Sequence, residues 1–183
     1  MPENGSMRKL FLIPLVALLL AGCSSGHHDD MPAPAASGAF SSTDLMFAEM
    51  MIPHHQQALE MSALALGTSV NPDVRALAEE IQAAQEPEIA QMRSWGATGA
   101  AHEGHQMDGM LSDAEMAALA AASGTEFDRL FLEGMIKHHQ GAIDMAQMVL
   151  ASENDEVRTL GEQIVASQQA EITRMQELLN TLD

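Results

Sequence analysis

The chain has 183 residues, a formal charge of −18 at pH 7, 3% aromatic residues and no tyrosine. So acidic a surface repels phosphate backbones and anionic headgroups, which excludes nucleic-acid binding and electrostatic membrane attachment, while it concentrates cations. Abundant Ala, Leu, Met, Gln and Glu with so few aromatics favour helix over sheet, and no strand is expected.

Arg8 and Lys9 lead into an apolar run from Leu10 to Leu20, followed by Ala21-Gly22-Cys23. A basic start, a short apolar stretch and small residues before a cleavage point describe a secretory signal, too short for a comfortable membrane span. The spacing resembles a bacterial lipobox. Residues 1–22 are then expected to be removed and Cys23 to carry lipid, leaving an exported protein on the outer face of the cell membrane, in the periplasm or in the cell envelope. A free or buried cysteine in an ordinary signal region is the alternative. Loss of Arg8, Lys9 and Glu3 would move the formal charge from −18 to −19. Cys23 is the only cysteine, so no internal disulfide and no thiolate cluster can form. Soft metal ligands must then be methionines.

Residues 23–40, with Ser24, Gly26, Pro32, Pro34 and Gly38, read as a flexible tether in which His27, His28 and Met31 are solvated. The remaining domain, 41–183, divides into repeat 1 (43–95), a linker (96–124) and repeat 2 (125–182). A first helix is expected from Ser42 or Thr43, either of which can cap it, to about Leu66, with Gly67 stopping it. Asn71-Pro72 supplies an N-cap and an N1 proline for a second helix, which runs to about Trp95. The linker combines Gly96, Gly99, Gly104 and Gly109 with His102, His105, Met107 and Met110. Ser112 with Glu115 forms a capping-box pattern for a short helix ended by Gly124. Thr125 with Asp128 repeats that pattern for a long helix to about Ser152. Asn154 caps a last helix that continues close to Leu182.

Within this order Met51-Ile52-Pro53-His54-His55-Gln56 recurs as Met135-Ile136-Lys137-His138-His139-Gln140, 84 positions later. The match extends through Asp44/Asp128, Phe47/Phe131, Glu49/Glu133, Ala58/Ala142 and Met61/Met145. After the loss of one residue it continues through Asn71/Asn154, Arg75/Arg158, Gln85/Gln168, Glu88/Glu171 and Met92/Met175. A fixed-interval repeat implies a duplicated unit. Neither helix pair can bury its apolar stripe alone, so the expected fold is all-α, a four-helix bundle made of two helix pairs with approximate two-fold symmetry.

At about 100° per residue, His54 lies mid-stripe, with Phe47 and Ala65 near +20° and Met61 near −20°, while Glu49, Gln56 and Glu60 face away. His138 has the same surroundings in Phe131, Val149 and Met145. His55 and His139, near +100°, fall on the shoulder of the stripe. The pattern allows Pro53 to kink the first helix and Lys137 to pair with Glu133 one turn earlier. Imidazole and thioether ligands without thiolate suit Cu(I), with Ag(I) as a mimic, better than zinc.

Met51, His54, Met61, Met135, His138 and Met145 are therefore the candidate metal ligands. A first site would combine His54 and Met51 with His138 and Met135. His55, His139, His102, His105, Met107 and Met110 are possible secondary ligands. Glu-x-x-His pairs of the di-iron type are missing, Gln106 breaks a zinc-protease pattern at His102-Glu103-Gly104-His105, and no nucleophile constellation is evident, so the chain is not read as an enzyme. A purely structural role for the inward histidines and methionines stays open at this point.

The doubled motif, Met-Ile-x-His-His-Gln-x-Ala followed by Glu or Asp and Met, resembles a secreted bacterial family known as domain of unknown function 305. The resemblance spans about residues 43–180. It implies a ferritin-like helical bundle, exported or lipid-anchored, some of whose members, of the CopM type, bind copper and are linked to copper tolerance. The expected function is an extracytoplasmic copper-binding lipoprotein that sequesters or transfers Cu(I). The alternative is a metal-free structural or partner-binding lipoprotein whose His-His-Gln repeats lock the bundle.

Overall fold

A computed structural model describes residues 39–102 and 107–182. The expected signal (1–22), most of the expected tether, Cys23, His27, His28, Met31 and His105 lie outside the described residues, as does the side chain of His102. The described residues form five α-helices and no strand: α1 (Ser42–Thr68), α2 (Pro72–Ser94), α3 (Asp113–Ala121), α4 (Gly124–Ala146) and α5 (Asp155–Leu179).

The helix ends follow local chemistry, with three departures from the sequence reading. The N-cap of α1 is Ser41: its hydroxyl accepts from the Asp44 amide at 3.1 Å while its own amide donates to the Asp44 carboxylate at 2.8 Å. Gly67 does not stop α1. The helix runs to Thr68 and ends where Ser69 turns extended, with the Arg75 guanidinium donating to the carbonyls of Leu66 and Ser69. The long helix of the second repeat begins at Gly124, not behind a Thr125 cap. Ser123 precedes it without a side-chain cap bond, and Gly124 at φ 59° makes a turn that an L-residue would adopt only with strain. Its C-terminal turn tightens into a 3₁₀ segment, Gln147–Val149. Asn71 and Asn154 cap α2 and α5 as expected.

α1 pairs with α2 and α4 with α5. The two hairpins join through α1 and α4, which run antiparallel. The Ser152 hydroxyl beyond α4 donates to Asp44 at the start of α1 at 2.8 Å, and Met61 lies beside Gly134. α2 and α5 close the bundle through an ion pair of Arg174 with Glu80 and a 2.9 Å bond from the Trp95 indole to Glu156. α3 lies against α4, where Lys137 pairs with Glu115 at 3.0 Å. Lys137 does not pair with Glu133, because Arg129, one turn earlier, takes that carboxylate at 3.1 Å.

The apolar core is in two parts. One gathers Met61, Leu77, Ile81, Phe127, Phe131, Met135 and Met175; the other gathers Phe47, Met51, Met92, Val149, Leu160 and Ile164. In every helix of the bundle two polar positions stand at mid-length between the two parts, Ile143 of α4 being the one buried residue that joins the first part from beyond them. The polar positions are His54 and His55 on α1, Gln85 and Glu88 on α2, His138 and His139 on α4, and Gln168 and Glu171 on α5. A polar belt therefore crosses the middle of the bundle, with four residues from each repeat.

Candidate metal centre

His54 and His138 are fully buried where α1 crosses α4, with ring centroids 3.7 Å apart. His138 Nε2 donates to the His54 carbonyl at 2.9 Å. A carbonyl can only accept, so this bond fixes the proton on Nε2 and leaves Nδ1 with a free lone pair. His54 meets no partner at good hydrogen-bond geometry through either ring nitrogen, the polar group beside it being the Asp108 carbonyl. Burial first, and then the adjacent His55, push its pKa down to about 3, opposed by the nearby Asp108 carbonyl. Burial and the facing His54 hold His138 well below the usual histidine range. Both rings are neutral at pH 7 and available as nitrogen donors.

His55 and His139 lie on the shoulder of the stripe, facing the hairpin partners α2 and α5. Both are fully buried, because α1 and α4 each have a hairpin partner on the flank as well as a neighbour in front. His55 Nε2 donates to Glu88 at 2.7 Å, and His139 Nε2 donates to Glu171 at 2.5 Å. Each carboxylate holds its ring through Nε2 and leaves Nδ1 buried without a partner, an arrangement that elsewhere orients metal-binding histidines.

Of the buried side-chain nitrogen and oxygen atoms without a partner among the described residues, all but Ser62 Oγ and Asp128 Oδ1 belong to this belt. They are both nitrogens of His54, the Nδ1 atoms of His55, His138 and His139, both amide atoms of Gln85, and Gln168 Oε1. Unpaired polar atoms cost about 1–3 kcal/mol each when buried, and native proteins rarely concentrate them without a ligand to satisfy them. The donor set therefore fits a metal that accepts nitrogen lone pairs. Among the described residues no three His, Cys, Asp or Glu side chains converge as a ready ligand set. Thioethers would have to complete the coordination, which favours a soft ion.

The methionines are distributed differently from the expected first site. Met51, Met61 and Met135 are fully buried and Met145 is half-buried, but Met51 and Met135 fall in opposite halves of the core. In an antiparallel pair, a residue one turn before His54 lies beside residues that follow His138. Met51 thus shares its half with Met145, and Met135 shares its half with Met61, so the histidine pair has one methionine couple on each side.

The linker is also part of the site. Gln57 holds Leu111 by two bonds, accepting from its amide at 2.8 Å and donating to its carbonyl at 2.9 Å. The repeat equivalent of Gln57 is Gly141. A β-carbon there would lie 2.2 Å from the Asp108 carbonyl oxygen, so only glycine lets residues 107–111 rest directly on α4. This strap crosses the seam beside the histidine pair, with Met107 and Met110 half-buried in it. Upstream, Glu49 accepts from the amides of Thr98 at 2.8 Å and Gly99 at 2.7 Å, anchoring the linker to α1.

Sequence reasoning passed over Gln57, Gly141 and Asp108 as parts of the site. Glu88, Glu171, Gln85 and Gln168 were visible as repeat matches, and their recurrence at mid-length of the outer helices is the signal that places them in the belt.

The fold and site define an all-α bundle of two duplicated helix hairpins that buries a histidine-rich polar belt at mid-height. The chain belongs to the DUF305 family, a domain of unknown function that matches residues 44–179. It is similar to a DUF305 protein of Streptomyces coelicolor described as secreted, at 31% identity over 77% of this chain and 94% of that one, with a TM-score of 0.71. A DUF305 fragment from Deinococcus radiodurans is 34% identical over 79% and 99% of the two chains, with a TM-score of 0.70. CopM in its Cu(I)-bound form is 35% identical over 77% and 98%, with a TM-score of 0.64, and CopM has also been solved bound to Cu(II) and to silver. No curated protein matches the sequence.

Proposed function

We propose that the protein is an exported, lipid-anchored copper-binding protein that sequesters or passes on Cu(I), without catalytic turnover, and so supports copper tolerance. The observation that carries this reading is the fully buried pair His54 and His138, whose lone pairs have no partner inside the protein, in a chain similar to CopM. Met61 with Met135 on one side and Met51 with Met145 on the other would supply the thioethers. His55 and His139, oriented by Glu88 and Glu171, would add nitrogen donors. Burial excludes water from a bound ion, and the neutral rings need no proton to leave before binding. Export and a lipid at Cys23 rest on the sequence of the first 23 residues.

A second reading is a metal-free bundle locked by its histidines. It is favoured by the bonds that His55, His138 and His139 make to Glu88, the His54 carbonyl and Glu171. It gives His54 no role. Elemental analysis of the protein purified from copper-supplemented cells separates the two: stoichiometric copper supports the first reading, and its absence supports the lock.

A further inference from the structure

The α1–α4 seam has two faces. Toward one, His55 and His139 turn to meet Glu88 of α2 and Glu171 of α5. On the other lie Gln57 and Gly141, where the strap crosses. From that crossing α3 extends over one half of the seam, where Leu119 shares a cavity wall with Leu130 and Gly134. Over the other half lies no α-helix among the described residues: the linker is tied to α1 there through Glu49, its short 3₁₀ turn Ala100–His102 packs on α1, and the seam beside it is lined with methionine.

Met46 is 45% exposed and Met148 is 37% exposed, while Met50 and Met145 are half-buried between them and the histidines. Helical phasing puts Met46 and Met50 about 80° and 40° to one side of His54, and Met148 and Met145 about 80° and 20° to the same side of His138. Antiparallel helices related by the repeat bring those sides together. Met148 lines an open cavity with Thr43 and Asp44 of α1, and Met145 packs on the core half that holds Phe47 and Met51.

The repeat provides an internal control. At the covered half the equivalents of Met46, Met50 and Met148 are Leu130, Gly134 and Leu64; only Met145 has a methionine counterpart, Met61. Leucine and glycine therefore suffice for packing. Methionine at the open half adds thioether sulfurs at the solvent boundary of a chain with a formal charge of −18, which draws cations to its surface.

We propose that Met46, Met50, Met145 and Met148 form an outer thioether site for a soft monovalent cation, Cu(I) in nature and Ag(I) as its probe, from which the ion passes inward to His54 and His138. The inward step rests on the copper reading above. The test is methyl NMR of the full chain labelled at the methionine methyls, with Ag(I) added below one equivalent. The methyls of these four residues are expected to shift first, ahead of Met61 and Met135. The variant Met46→Leu/Met148→Leu, which installs the residues the other repeat carries, is expected to keep the helical spectrum, lose the early shifts and load the histidine rings several-fold more slowly. Early shifts on Met61 and Met135, or unchanged loading in the variant, would overturn the outer site and leave the core reading standing. In His54→Ala/His138→Ala the early shifts are expected to persist. Their persistence without core loading supports the outer site on its own, and their loss there overturns it as a separate site.

Discussion

His54 and His138 meet across the α1–α4 seam with ring centroids 3.7 Å apart and planes tilted by 39°, and His138 Nε2 donates to the backbone carbonyl of His54 with no reciprocal bond from the His54 ring. The internal symmetry is thus broken at its centre. One ring is fixed by the other's main chain, and the second has only the Asp108 carbonyl of the strap beside it.

Because both rings are buried, the metal-free protein should lose stability as the pH falls. His54 titrates near 6.5 when unfolded and at about 3 when folded. Between those values the unfolded chain binds the extra proton, so the unfolding free energy decreases on acidification. Above about pH 6.5 both states are neutral and the effect vanishes. The slope should be about 1.4 kcal/mol per pH unit for His54, and up to twice that with His138. Urea unfolding between pH 7 and 5 would read it, ahead of the range in which carboxylates protonate. A flat stability profile over that window would contradict neutral, buried rings.

Removing either carboxylate that orients a flanking histidine should have similar effects in the two repeats. Glu88→Ala or Glu171→Ala leaves a buried imidazole N–H without an acceptor, a loss of about 1–3 kcal/mol. Chemical denaturation checks this. A marked inequality between the two variants would show that the repeats are not energetically equivalent.

How much of this was legible in the sequence depends on the kind of signal. The helices, the bundle and the inward aim of His54 and His138 follow from periodicity and capping residues, which act locally. The burial of His55 and His139 does not, because an angle of about 100° is a shoulder against one neighbour and an interior position against two. The crosswise sorting of Met51 with Met145 and Met61 with Met135 depends on helix direction, which a repeat alone does not specify. The strap has no periodicity. Its only mark is that Gly141 stands where the other repeat has Gln57, and that exchange becomes meaningful once Asp108 is seen resting on it.

The strap should respond to both of its fastenings. Gln57→Ala removes two bonds to Leu111 and should cost about 1–3 kcal/mol, with faster hydrogen exchange at the Leu111 amide. Gly141→Ala puts a methyl where the Asp108 carbonyl now lies, so residues 107–110 must move off α4. Exchange mass spectrometry of the linker should report greater opening in both variants, while α2 and α5 remain protected. Unchanged exchange in Gly141→Ala would mean that the close approach is not maintained in solution.

Titration of the metal-free protein with Cu(I) against a competing chelator, comparing the native chain with His54→Ala/His138→Ala, tests the central claim most directly. The native chain should withdraw copper from the chelator stoichiometrically, and the double variant, with its helical spectrum retained, should lose at least one tightly held equivalent. Equal affinity and stoichiometry in the two proteins would contradict a copper site at the buried histidine pair.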